Sequence, residues 1–414
     1  MGKPLLVVVF DLGAVDPVKI SFCARTLCDV IFVCDRSNPY VAKVVDRTAD
    51  FADIVDITGL SQDEICRRVA ALRPDGIVTF SEYQLALTAA IAAECGLPFH
   101  SPATVDRLVD KFQQRKALTA AGVQATRCVV VRSAAEAEAA AAEVGLPAVV
   151  KPRIGAGSVD TCRVDTTSEC AAVVAEFLAN TRTRGITELV VETMLVGDPA
   201  AAGAQWGDYV SVESVVNPER IQTVCVTGKF PLADPFRETG YFMPSALSEE
   251  LIRAVVEVEQ SALRALGVQH GITHTEVKLT PDGPKVIEVN GRLGGYVSDI
   301  LQRAANYDLV RVAIQLALGQ PVQVPPIRWR SVAYQYFLAP PVGVERLVEL
   351  NGVDEVNEIP GVRYLELHVE PGQSVDWRNG TRAHLGIVYG SASDHEDLQA
   401  TLAEIDRRFQ PVYA

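Results

Sequence analysis

The apolar positions of residues 1–110 fall in short runs separated by amphipathic stretches, the alternation that βαβ units produce. Runs at Leu5–Phe10, Val30–Asp35, Ile54–Ile57 and Gly76–Phe80 predict buried strands. Between them, Ser61–Leu72 has helical spacing, with Ser61 and Glu64 placed for a capping box. The pattern predicts an open, mostly parallel sheet. Such sheets offer ligands the carboxyl ends of their strands. Glu82, just beyond Phe80, is therefore either a pocket residue or a carboxylate at a helix N-terminus.

Further along, Lys111–Gly122 predicts a helix closed by glycine and Ala134–Val144 an alanine-rich one. An apolar strand ends at Lys151 and enters a loop with Gly155, Gly157 and Ser158. Glu188–Leu195 predicts another buried strand, while Gly207–Val216 alternates as a half-buried strand does. Leu247–Leu266 and Asp299–Leu318 predict long helices, the second ended by Gly319. From about residue 330 a separate α+β portion includes strand patterns at Leu365–Val369 and His384–Gly390.

The stretch Thr273–Gly295, THTEVKLTPDGPKVIEVNGRLGG, sets two glutamates on two neighbouring strands. Pro281-Asp282-Gly283 suits a three-residue hairpin loop. Thr280 then pairs with Pro284, Glu276 with Glu288, and His274 with Asn290. In this register Val277, Leu279, Ile287 and Val289 share the core face, and His274, Glu276, Lys278, Glu288 and Asn290 the other. Like charges directly opposed across strands are destabilising. A raised pKa on one glutamate, a bridge from Lys278, or a bound divalent cation would offset the repulsion. From the pattern alone, a metal site of Glu276, Glu288 and Asn290 competes with a solvated polar sheet face.

The other chemical signals are weaker singly. Lys151 with Gly155 and Gly157 suits a phosphate, since glycines admit backbone N–H groups and lysine adds a point charge. The plainer alternative is a hairpin turn beside a snorkelling lysine. Arg292, with Gly294 and Gly295 after it, adds an anion-binding turn just past the carboxylates. No G-x-G-x-x-G follows the first strand, where only Gly13 stands, so a nicotinamide site is not expected. A net charge of -14 predicts no nucleic-acid partner, and no apolar run reaches the length of a membrane span. Nine scattered cysteines without a C-x-x-C pair predict reduced thiols in a cytoplasmic protein rather than disulfides or zinc.

Taken in order, these motifs resemble the ATP-grasp superfamily over most of the chain. The stretch from Thr79 to Val123 looks like its junction into the nucleotide-binding part. PAVVKPRIGAGSV looks like its second lysine and flexible glycine loop, and VVETML like its adenine hinge. HTEVKL followed by GPKVIEVNGRLGG is similar to the form in its L-amino-acid ligases, and is the most specific match. The resemblance implies an ATP-grasp fold of α/β and α+β parts. These are a leading Rossmann-like open-sheet domain at 1–110, an ATP-binding core at 111–320 with a lid at about 128–190, and a C-terminal α+β portion at 321–414. Two α+β subdomains would grip ATP.

By resemblance, Lys111 and Lys151 contact phosphates and adenine, with Gly155, Gly157 and Ser158 in the phosphate loop. Glu192, Thr193, Met194 and Leu195 form the adenine hinge. Glu276, Glu288 and Asn290 hold two Mg²⁺ ions, with Mn²⁺ as a substitute, and Arg292 stabilises a phosphorylated intermediate. The activity so implied is an ATP-dependent ligase that joins a small-molecule carboxylate to an amine through an acyl phosphate, releasing ADP and phosphate. A carboxylase-type or purine-pathway ligase is the alternative, although this glycine loop carries fewer glycines than the carboxylase branch. Glu82 and Glu213 are the candidates for accepting the amine's proton. Trp206, in a lengthened segment, either lines a pocket or packs. A role in specialised metabolite biosynthesis and a homodimer both stand open.

Overall fold

The computed structural model describes residues 2–179 and 187–414. Residues 180–186, inside the stretch expected to form a lid, lie outside it. In the leading part, four parallel strands are ordered Asp53–Asp56, Asp29–Cys34, Leu5–Val9 and Gly76–Val78. Parallel strands covered on both faces read as unbroken apolar runs, and Leu6, Val7, Val8 and Val9 are all buried. The helix Gln62–Ala70 starts at a full capping box between Ser61 and Glu64. The last strand stops at Val78, and Glu82 opens a single 3₁₀ turn, Glu82–Gln84.

A second, antiparallel sheet has the order Cys128–Val131, Leu189–Thr193, Ala148–Pro152, Cys162–Val164. The helices Ala134–Val144 and Thr167–Ala179 cover it through Ala137, Ala141, Val150, Val174 and Leu189. The third sheet has eight antiparallel strands. Five come from the core: Gly283–Asn290, Gly271–Thr280, Tyr209–Asn217, Arg220–Lys229 and Gly240–Met243. The next three, Val332–Phe337, Gly386–Ala392 and Val362–Leu367, come from the C-terminal portion. That portion is therefore not separate at the level of hydrogen bonding, because Phe242 pairs with Tyr334 and extends the core sheet.

Helix Glu249–Leu266 packs on the back of this sheet. Ala262, Leu263 and Leu266 meet Val286 and Val289, together with Leu118 of helix Lys111–Ala120. Each large aliphatic side chain so buried contributes about 1.5–3 kcal/mol. Strand Tyr209–Asn217 is not half open to solvent as its alternation suggested. Val210 and Val212 lie in an apolar cluster, and the polar Ser211 and Glu213 are also fully buried.

Two further expectations change. The hairpin loop has two residues, since Thr280 pairs with Gly283 and Leu279 with Pro284. A bulge at Ile287 then restores the expected pairs Glu276 with Glu288 and His274 with Asn290. The extra residue displaces Ile287 from the core, and Val286, fully buried, takes its place. The helix expected over Asp299–Leu318 is two helices, Val297–Ala305 and Leu309–Ala317. Asn306 takes a left-handed φ of 56°, and the Asp308 carboxylate caps the second helix by accepting from Arg311 N.

Candidate functional site

The carboxylate pair lies where the core sheet faces the glycine loop. Lys111 Nζ is 3.2 Å from Glu288 Oε1 and donates to the Gly155 carbonyl oxygen at 2.7 Å. One ammonium thus ties the loop to the sheet. Glu276 is met from below by His274, whose Nε2 is 3.6 Å from its Oε1. The other ring nitrogen of His274 makes a short contact with Glu213 Oε1, and Gly294 N donates to Glu213 Oε2 at 3.3 Å. Gly294 has to be glycine, since a Cβ there would stand 2.3 Å from His274 Nδ1. Asn290 Oδ1 accepts from Arg292 Nη2 at 3.1 Å, and Arg292 Nε is 3.1 Å from Glu82 Oε2. Glu276, Glu288, Asn290, Arg292 and Glu82 are thereby brought to one place.

Two of the three expected remedies for the opposed charges need correcting. Lys278 does not bridge the glutamates, because its Nζ is 2.6 Å from Asp208 Oδ1. Neither is Glu276 raised. Burial works against its charge, but His274, Lys229 and Arg292 outweigh burial and hold it at about 2. His274 is itself held charged: burial opposes this, Glu213 and Glu276 prevail, and its pKa rises to about 9. Lys229 is buried and is 2.7 Å from Glu238 Oε1, while Tyr241 Oη donates to Glu238 Oε2 at 2.6 Å. Glu82 moves the other way. Burial, reinforced by Glu288 and opposed by Arg292, raises it to about 7.

Among the described residues no three His, Cys, Asp or Glu side chains form a metal cage. Glu276 and Glu288 keep some exposure and, with the Asn290 amide oxygen, form an all-oxygen donor set. A small hard cation that shares its shell with phosphates and water fits such a partial set.

Glu192 stands in the strand expected to lead into the hinge. Its side chain turns inward, 2.6 Å from Lys151 Nζ and 3.0 Å from Arg115 Nε. Arg115 also donates to the Ile287 carbonyl oxygen. What Glu192 and Thr193 can offer a base is main chain, since Thr193 Oγ1 donates to the Val144 carbonyl oxygen at 2.8 Å. Met194 lines a cleft of about 470 Å³ that runs past Asp208 and Lys278 to the loop Pro231–Phe236. Trp206 reaches that cleft but is a packing residue, 4.5 Å from the Phe242 ring and buried. Glu213 has no exposed surface and is fully engaged by His274 and Gly294, which corrects its candidacy as a direct acceptor of a substrate proton. Sequence reasoning missed Arg115, although it stands four residues after Lys111, on the same face of one helix.

A glycine loop and a buried Lys151 from a small antiparallel sheet, set beside paired carboxylates of a large one, define a class. Residues 144–299 match the model of the ATP-grasp domain, and the chain belongs to the ATP-grasp superfamily. Residues 335–414 match the model of the L-amino acid ligase C-terminal domain 2. The crystal structure of the L-amino acid ligase from Bacillus licheniformis superposes with a TM-score of 0.79 over 100% of this chain and 99% of that one, at 21% identity. The uncharacterized protein y4rH of Sinorhizobium fredii (strain NBRC 101917 / NGR234) is 32% identical over 81% of this chain and 68% of its own length. Human carnosine synthase 1 is 28% identical over 78% of this chain, which covers 40% of that protein. The alanine–anticapsin ligase of Bacillus subtilis (strain 168) is 25% identical over 64% of this chain and 58% of its own length. No helix among the described residues is long and apolar enough to cross a membrane.

Proposed function

We propose that this protein is an ATP-dependent carboxylate–amine ligase that joins two small amino-acid-like substrates through an amide bond. The reading rests on one observation above others. Glu276 and Glu288 oppose each other beneath a glycine loop tied down by Lys111, with Arg292 beside them. The names of the relatives, an alanine–anticapsin ligase and a carnosine synthase, support the amide product.

On this reading Lys111 and Lys151 receive the phosphates of ATP, and Gly155, Gly157 and Ser158 cover them with main-chain N–H groups. Glu276, Glu288 and Asn290 would hold Mg²⁺, as two ions or one and with Mn²⁺ as a substitute, which supplies neutralisation of charge on the phosphates. The substrate carboxylate attacks the γ-phosphorus, the bond to the β-phosphate oxygen breaks, and ADP leaves. Arg292 steadies the charge on the acyl phosphate, and Gly294 leaves room for close main-chain approach. The amine then attacks the acyl carbon and phosphate departs. Glu82 accepts the amine's proton: a carboxyl poised near 7 is suited to that task at neutral pH. The closed loop keeps water from the acyl phosphate.

Incubation with ATP, Mg²⁺ and paired amino acids, with bicarbonate as competitor and mass spectrometry of products, tests this. An amide formed together with ADP is expected. ATP cleavage that requires bicarbonate and gives no amide for any pair would replace the reading with a carboxylase.

A further inference from the structure

The strands Val362–Leu367 and Gly386–Ala392 are joined by a connection that leaves the C-terminal core and touches the lid. Within it, the Asp376 carboxylate caps a short 3₁₀ turn by accepting from Arg378 N at 3.1 Å. Next to that turn Thr381 N donates to the Gly157 carbonyl oxygen at 2.9 Å. Gly157 belongs to the loop assigned above to the phosphates. Gly380 makes the approach possible. Its φ of 65° favours glycine, and a Cβ there would stand 2.2 Å from Gly157 O and 2.7 Å from Val159 N. Both are main-chain atoms that cannot swing aside. An outer contact, Arg378 Nε to Glu176 Oε1 at 3.5 Å, is exposed and contributes little.

The loop on the other side of this contact is in an unusual conformation. Ser158 and Asp160 both have left-handed backbones, with φ of 56° and 47°. Non-glycine residues keep such a conformation where their surroundings hold it. Two hydrogen bonds hold the loop's carbonyls from opposite sides. Lys111 takes Gly155 O from the core, and Thr381 takes Gly157 O from the C-terminal portion.

We propose that Gly380 and Thr381 are positioning residues for the ligase reaction: their main chain clasps Gly157 and holds the phosphate loop closed over the cleft. This rests on the reading of the site as an ATP-dependent ligase. The lid cannot lift without breaking the Thr381–Gly157 bond. The C-terminal portion therefore governs how long the acyl phosphate stays shielded from water. The chemistry is unchanged, and what the clasp sets is the partition of one intermediate. Attack by the amine gives amide and phosphate, and attack by water returns the free carboxylate and phosphate.

Gly380→Ala is the direct test, read as ADP released per amide formed, KM for ATP, and thermal midpoint. The expected outcome is a ratio raised about twofold or more and a raised KM, with a midpoint close to wild type. Arg378→Ala should leave the ratio unchanged. A folded Gly380→Ala protein with wild-type ratio and KM overturns the proposal. Should that variant not fold, hydrogen exchange of the wild-type protein decides. Mg²⁺ with a non-hydrolysable ATP analogue should protect residues 153–161 and 377–385 together. Protection of 153–161 alone sinks the clasp, whereas no protection in either segment or at the glutamate hairpin sinks the reading of the site itself.

Discussion

Replacing Glu192 by glutamine removes one charge from a buried triad and leaves two cations behind. The carboxylate lies 2.6 Å from Lys151 Nζ and 3.0 Å from Arg115 Nε, and all three side chains are less than a tenth exposed. Burial raises the cost of its charge, yet Arg115 and Lys151 outweigh burial and lower it from 4.5 to about 2. At 1.36 kcal/mol per pKa unit that difference is worth roughly 3 kcal/mol. Truncating one member of a buried pair costs about 3–5 kcal/mol, because the survivors stay desolvated. Glu192→Gln keeps the shape and loses the charge, so about 3 kcal/mol is expected in urea titrations at pH 7. A carboxylate with a depressed folded-state pKa contributes stability above its unfolded value. The gap between wild type and variant should therefore be full above pH 4.5 and shrink as pH falls toward 2. KM for ATP should rise as well, since Lys151 loses the partner that holds it. A variant within about 1 kcal/mol of wild type at pH 7, with a gap that ignores pH, would refute the argument.

Glu288→Ala should cut turnover at least about 10²-fold while the fold persists, judged by circular dichroism and melting; near-normal activity with Mg²⁺ would remove Glu288 from the site. The nucleotide product should be ADP, resolved from AMP by chromatography, since AMP with pyrophosphate would mean adenylate chemistry. Glu82→Gln should flatten the limb of the kcat/KM profile near pH 7, where wild-type activity is expected to climb as the Glu82 carboxyl loses its proton. An unaltered limb would take the proton acceptor elsewhere.

The sequence carried the fold wherever one periodicity ruled. The parallel strands of the leading part, the helix at Ala134–Val144 and the pairing of Glu276 with Glu288 were all legible. What misled was local pattern without knowledge of cover. Alternation in Tyr209–Asn217 marks one apolar and one polar face, but the polar face is covered as well, with Ser211 and Glu213 fully buried. Pro281-Asp282-Gly283 is compatible with two loop lengths, and the bulge at Ile287 that reconciles them leaves no mark in composition. Asn306 breaks a helix through a left-handed backbone, which asparagine tolerates without advertising it. Long-range partners were beyond reach in principle. Thr381 meets Gly157 where two turns far apart in the chain touch, and Asp208 meets Lys278 because the strands Tyr209–Asn217 and Gly271–Thr280 pair in one sheet.

The opposed glutamates show how such partners change a chemical argument. Two carboxylates across a pair of strands repel, and the sequence alone leaves a protonated glutamate, a bridging lysine or a cation as remedies. The fold supplies cations of its own, which leave room for a bound metal. His274, Lys229 and Arg292 surround Glu276, and Lys111 sits on Glu288. Three of these are fixed by their own anions: His274 by Glu213, Lys229 by Glu238 and Arg292 by Glu82. Lys111 is the exception, since its partners are Glu288 itself and a carbonyl of the glycine loop. On the proposed reading, a phosphate arriving under that loop would compete for Lys111 and leave Glu288 open to a cation.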